Sequence, residues 1–132
     1  MRIVGPARKI QKYGFLLLAV ALTALSGPAL AGEVDVEKVV VRQSAAGVYG
    51  FDVTLRHADT GWEHYADAWE IRDGEGNLLA TRVLVHPHVN EQPFTRSLGG
   101  VAIPAGLTRV TVVAHDSQHG YGGAEMIVDL PR

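Results

Sequence analysis

Phe51-Asp52-Val53-Thr54-Leu55-Arg56 alternates apolar and polar side chains without a break. Successive side chains of a strand point to opposite faces, so Phe51, Val53 and Leu55 share one side and Asp52, Thr54 and Arg56 the other. The run reads as a half-buried antiparallel strand, Val48 to His57. Its neighbours repeat the pattern. Val34 to Gln43 precedes it across an Ala45-Ala46-Gly47 turn, and Ala66 to Arg72 follows, with Asp67, Trp69 and Ile71 on one side.

Further out, Asp73-Gly-Glu-Gly-Asn77 is a turn whose Gly and Asn residues tolerate positive φ. Leu78 to Val85 alternates again, and Pro87 stops it. Phe94, Arg96 and Leu98 mark a short fifth strand. Gly99 to Gly106 reads as a connector anchored by Val101 and Ile103. Val110 to His115 is the sixth strand, and Ala124 to Leu130, closed by Pro131, is the last. Seven short strands in about 100 residues, with a tryptophan on the third, predict an all-β, immunoglobulin-like antiparallel β-sandwich. A small barrel or jelly roll with the same strand count is the alternative. Trp69 is expected mid-core, opposite the second and sixth strands.

Residues 1–31 read as a secretory signal peptide rather than part of the fold. Arg2, Arg8, Lys9 and Lys12 form a basic start, Phe15 to Leu25 is almost wholly apolar, and Ser26-Gly27-Pro28 precedes the small-x-small site Ala29-Leu30-Ala31. The apolar run is shorter than a membrane span of roughly 20 residues. The expectation is a periplasmic or secreted domain, residues 32–132, cut near Ala31 and free of the membrane thereafter. Removing the leader leaves 8 Lys and Arg against 14 Asp and Glu, a net charge of −6 with His neutral. Such a domain is a poor partner for nucleic acid, which needs clustered cations. With no cysteine, the core must hold the domain unaided or with a bound ion, and any metal site must use nitrogen and oxygen donors.

All 6 histidines lie after the leader. If consecutive strands run antiparallel, the connections after strands two, four and six emerge at one end. Those connections hold His57 and His64, then His86 and His88, then His115 and His119, together with Asp59, Glu63, Asn90, Glu91, Asp116 and Tyr121. Imidazoles and carboxylates converging from loops on a rigid sandwich are the makings of a metal site. The competing reading is a hydrogen-bonded polar network that orders long loops without an ion. His115 alternates with Ala114 and Asp116 and reads as a cap on its strand.

The stretch His57-Ala-Asp-Thr-Gly-Trp-Glu-His64-Tyr-Ala-Asp-Ala-Trp69-Glu-Ile71 resembles the H-P-x-x-x-E-H-Y-I-x-W-I-E segment of superoxide reductases of the desulfoferrodoxin/neelaredoxin type. Those proteins are immunoglobulin-like sandwiches with a mononuclear iron held by four histidines and a cysteine. The resemblance implies that His57 and His64 are metal ligands. The family's C-N-x-H-G-x-W loop corresponds to Asp116-Ser-Gln-His119-Gly-Tyr121, which keeps the histidine and replaces the axial cysteine with Asp116. The His57 to His64 spacing is one residue longer, Ala58 stands where the family has proline, and the family's N-terminal ligand histidine has no counterpart.

These readings predict an exported metal-binding protein for copper, zinc or iron, serving storage or delivery, with a periplasmic protein as a further partner. The ligands expected are His57, His64 and His119, with Asp116 and one of His86 or His88. The alternatives are an iron-dependent redox enzyme like superoxide reductase, and a non-catalytic module that binds protein or glycan through Trp62 and Tyr121. No residue is assigned as catalytic, since neither a serine nucleophile elbow nor a phosphate-cradling glycine loop is present.

Overall fold

The computed structural model describes residues 32–132; the expected signal peptide lies outside them. Seven strands form in chain order: β1 (Asp35–Ala45), β2 (Val48–Arg56), β3 (Ala66–Arg72), β4 (Leu78–Val83), β5 (Phe94–Ala102), β6 (Arg109–Asp116) and β7 (Met126–Asp129). They build two antiparallel sheets, β1-β2-β5 and β4-β3-β6-β7, packed as a sandwich. This arrangement is compatible with an immunoglobulin-like fold. Phe51, Val53 and Leu55 are fully buried, as their alternation predicts, and meet Trp69, Ile71 and Val112 from the other sheet. Trp69 is fully buried, but β6 lies beside β3 in the same sheet, so the indole faces only the β1-β2-β5 layer.

The expected connector from Gly99 is instead part of β5. Phe51 pairs with Leu98 while Tyr49 pairs with Val101, so β5 carries one residue more than β2 across this interval. Gly100, at φ 66°, takes up the extra residue as a β-bulge. Leu98 and Val101 therefore both pack on the core. The fourth strand ends at Val83, earlier than expected, because Leu84 turns inward with its N–H on the Asp67 carbonyl at 2.8 Å.

Strand parity puts the 57–65, 84–93 and 117–125 connections at one end. The start of β1 is there as well, since Asp35 pairs with Arg56. The chain entering β1 is stitched to the last loop: Val36 N–H donates to the Ala124 carbonyl at 2.8 Å, and Ala124 N–H donates to Asp35 Oδ1 at 2.7 Å. An added Cβ at Gly123 would lie 1.9 Å from the Val34 carbonyl oxygen, so only glycine lets the two backbones cross there.

Candidate metal centre

His57 leaves the end of β2 with its side chain fully enclosed. Its N–H bonds the Gln92 side-chain oxygen at 2.9 Å, and its Nδ1 bonds Asp59 Oδ1, which turns Nε2 toward the end of β6. There Asp116, also fully enclosed, holds Oδ2 2.5 Å from His57 Nε2 and 2.6 Å from His64 Nε2. The two imidazoles meet edge to face, with ring centres 4.8 Å apart. The Gly32 carbonyl oxygen completes the cluster at 3.2 Å from His57 Nε2 and 3.3 Å from His64 Nε2. One ligand atom each from His57, His64 and Asp116 falls within 4.8 Å of the other two, a spacing that one metal ion can span.

Asp116 is ionised by its surroundings. Burial pushes its carboxyl up, but the backbone N–H groups of His119 and Gln118, the hydrogen bond from His64 and the charge of His57 outweigh that and bring it down to about 2. Both N–H groups lie 2.7 Å from Oδ1, so this oxygen caps the 117–120 turn and leaves Oδ2 for the imidazoles. For His64, burial acts to lower the pKa. The Asp116 hydrogen bond, the Gly32 carbonyl and the charges of Asp116 and Asp59 together raise it above the ordinary imidazole value.

An ionised carboxylate and a carbonyl can only accept hydrogen bonds. Each Nε2 must therefore present a proton to these oxygens or share a cation with them. His57 faces an oxygen from each ring nitrogen, Asp59 at Nδ1 and Asp116 with Gly32 at Nε2. Asp59 supplies the orienting carboxylate that ligand histidines commonly have. It also accepts the Ala66 N–H at 3.1 Å and the His88 N–H at 2.7 Å, tying three segments to the ring of His57.

The other expected ligands divide. His119 sits at the rim, with its ring centre 4.9 Å from that of His64 and Nδ1 3.3 Å from Asp116 Oδ1. His86 and His88 form a neighbouring cluster instead. His88 presents its backbone, not its ring, to Asp59; the ring stacks on Phe94 at 4.0 Å and accepts from Arg96 at Nε2, 2.7 Å away. Burial, followed by the charges of Arg96 and His86, lowers its pKa and keeps it neutral. His86 is exposed, with its ring centre 4.7 Å from that of His88.

His115 lies away from the centre, paired with Asp67 at 2.5 Å and edge-on to Tyr121. The Tyr121 hydroxyl donates to Glu70, whose other oxygen takes two bonds from Arg72. This network fastens the loop that carries His119. Sequence reasoning missed the Gly32 carbonyl, which has no side-chain signature, and the part played by Asp59, for which the His-x-Asp spacing was the available signal.

A protein of Halomicrobium mukohataei named "Putative lipoprotein" is 41% identical to this chain over 97 residues, 74% of the chain and 47% of that protein. The chain thus spans about half the length of that relative. No family model and no solved structure matches it.

Proposed function

We propose that the protein is an exported metal-binding protein that holds a divalent transition-metal ion through His57 Nε2, His64 Nε2 and Asp116 Oδ2, with His119 at the rim. One observation carries this reading: two imidazole nitrogens converge on one ionised carboxylate oxygen, with a backbone carbonyl beside it; His57 and Asp116 are fully enclosed and His64 is half-buried. A cation satisfies all four atoms at once. Two imidazoles and a carboxylate suit Zn(II), Fe(II) and Cu(II); the general affinity order favours Cu(II), and the absence of cysteine argues against Cu(I). Export is supported by the leader anatomy of residues 1–31 and by the lipoprotein name of the relative. Storage or delivery fits best, because two of the three donors, His57 and Asp116, are fully enclosed.

Titration of the exported chain with Cu(II), Zn(II) and Fe(II) tests this. Binding of one ion per chain is expected, and it should be lost in the His57→Ala/His64→Ala/His119→Ala variant. Equal affinity in both proteins would overturn the proposal.

A second reading rests on the resemblance to superoxide reductases: the same residues, loaded with Fe(II), would reduce superoxide. It is supported by His57 and His64, the counterparts of two family ligands, being two of the three converging donors. Against it stands Asp116 in the thiolate's place. Stopped-flow mixing of the iron-loaded protein with superoxide separates the readings, since a storage protein consumes no more than free iron does.

A further inference from the structure

The sequence and the structure meet at Gly32. The expected cleavage after Ala31 makes Gly32 the first residue of the exported chain, and Gly32 is the residue whose carbonyl enters the candidate centre. It is buried, and an added Cβ would press on the His119 ring at 3.1–3.3 Å, so the residue is wedged between His119 and the His57/His64 pair. The segment behind it is held in place. Val34 is buried, Val36 and Asp35 bond Ala124, and Gly122 and Gly123 provide the bare backbone over which Glu33 and Val34 pass.

We infer that the α-amino group of Gly32, freed by cleavage, is a ligand of the same metal and chelates it together with the Gly32 carbonyl oxygen. This rests on the metal-binding reading above. An amine and a carbonyl of one residue close a five-membered ring with an ion, and the Gly32 carbonyl oxygen already stands 3.2 Å and 3.3 Å from the two Nε2 atoms that would share that ion. The donor set becomes three nitrogens, from His57, His64 and Gly32, and two oxygens, from Asp116 and Gly32. In the precursor the same nitrogen is a peptide N–H, whose lone pair is delocalised into the carbonyl, so it must lose its proton before it can bind an ion. The complete site therefore exists only after processing. The precursor stays a weak binder before export, and the chain captures its ion in the compartment where the leader is removed.

The test uses the processed chain recovered after export, with all seven strands intact. Intact mass should show it beginning at Gly32. Lys38 is the only lysine beyond the leader, so Lys38→Arg leaves the α-amine as the sole amine to acetylate. Cu(II) affinity is then compared with the α-amine free and acetylated, and paramagnetic resonance counts the coordinating nitrogens. Acetylation should cost at least the ~10-fold that loss of an outer-shell partner costs, and should take the nitrogen count from three to two. A His57-dependent site whose affinity and nitrogen count ignore acetylation overturns the inference and leaves the metal site standing. Absence of His57-dependent Cu(II) binding in both forms overturns the metal reading and the inference with it. A processed chain that starts elsewhere overturns the inference alone.

Discussion

Replacing Gly123 with alanine tests whether the chain entering β1 is built against the β6–β7 loop. The added Cβ falls 1.9 Å from the Val34 oxygen and 2.5 Å from its carbon. Ordinary contact begins near 3.4 Å, and both atoms belong to backbone, so no rotamer change relieves the overlap. One of the two segments must move by about 1.5 Å, which is enough to break hydrogen bonds of normal geometry. The bonds at stake are Val36 N–H to Ala124 O and Ala124 N–H to Asp35 Oδ1. Each contributes about 1 kcal/mol net. Val34, 1% exposed, then loses part of a burial worth about 1.5–3 kcal/mol. The smaller entropy of the unfolded alanine chain returns about 0.5 kcal/mol. The balance is a loss of about 2–4 kcal/mol, and in a domain of this size each of those lowers Tm by about 4–8 °C.

The control is Gly74→Ala, where an added Cβ meets nothing within 4 Å. It should be neutral or slightly stabilising. Thermal unfolding followed by circular dichroism, with chelator present, reads both variants without any contribution from metal. If Gly123→Ala melts within about 3 °C of Gly74→Ala, the crossing of these backbones is not what holds the entering chain, and the reasoning fails.

Asp59→Asn keeps the shape of the side chain but removes the charge that orients His57, so metal affinity should fall about 10–100-fold in a competition titration, with the fold intact by circular dichroism. The metal-free protein should depend on pH with a definite sign. The raised pKa of His64 gives stability that is complete below 6.5 and is lost as pH rises through its folded value, while the lowered pKa of Asp116 gives stability present above 3.8 and lost as pH falls through about 2. Urea unfolding at about pH 5 and about pH 9 should therefore show a loss on the alkaline side that saturating metal abolishes, because the ion takes the proton's place. On the outer face, the Glu70 hydrogen bond and burial raise the pKa of Tyr121, so Glu70→Gln should return its phenolate absorbance transition toward 10. The Glu70 contribution to stability holds above 4.5 and that of Tyr121 below 10, which makes neutral pH the range in which this network fastens the loop.

Much of the candidate centre was legible because strand parity is robust. Misreading Gly99-Gly100 as a connector shortened β5 but did not change its direction, so the three histidine-bearing loops still met at one end. Parity selects an end and nothing finer. His64 and His88 occupy comparable loops, yet one aims its ring at Asp116 while the other aims its N–H at Asp59 and gives its ring to Phe94 and Arg96. That difference is set by loop conformation, and loop conformation depends on contacts such as the Gln92 side chain between His57 N–H and the His88 carbonyl, which no periodicity encodes. The donors a sequence hides best are backbone atoms. Gly32 has no side chain to draw notice, and its placement follows from Gly122 and Gly123, some ninety residues away, whose missing side chains let the chain end through. On the inference that Gly32 becomes the chain end, the cleavage motif and the histidine loops, unrelated as sequence signals, belong to one functional unit.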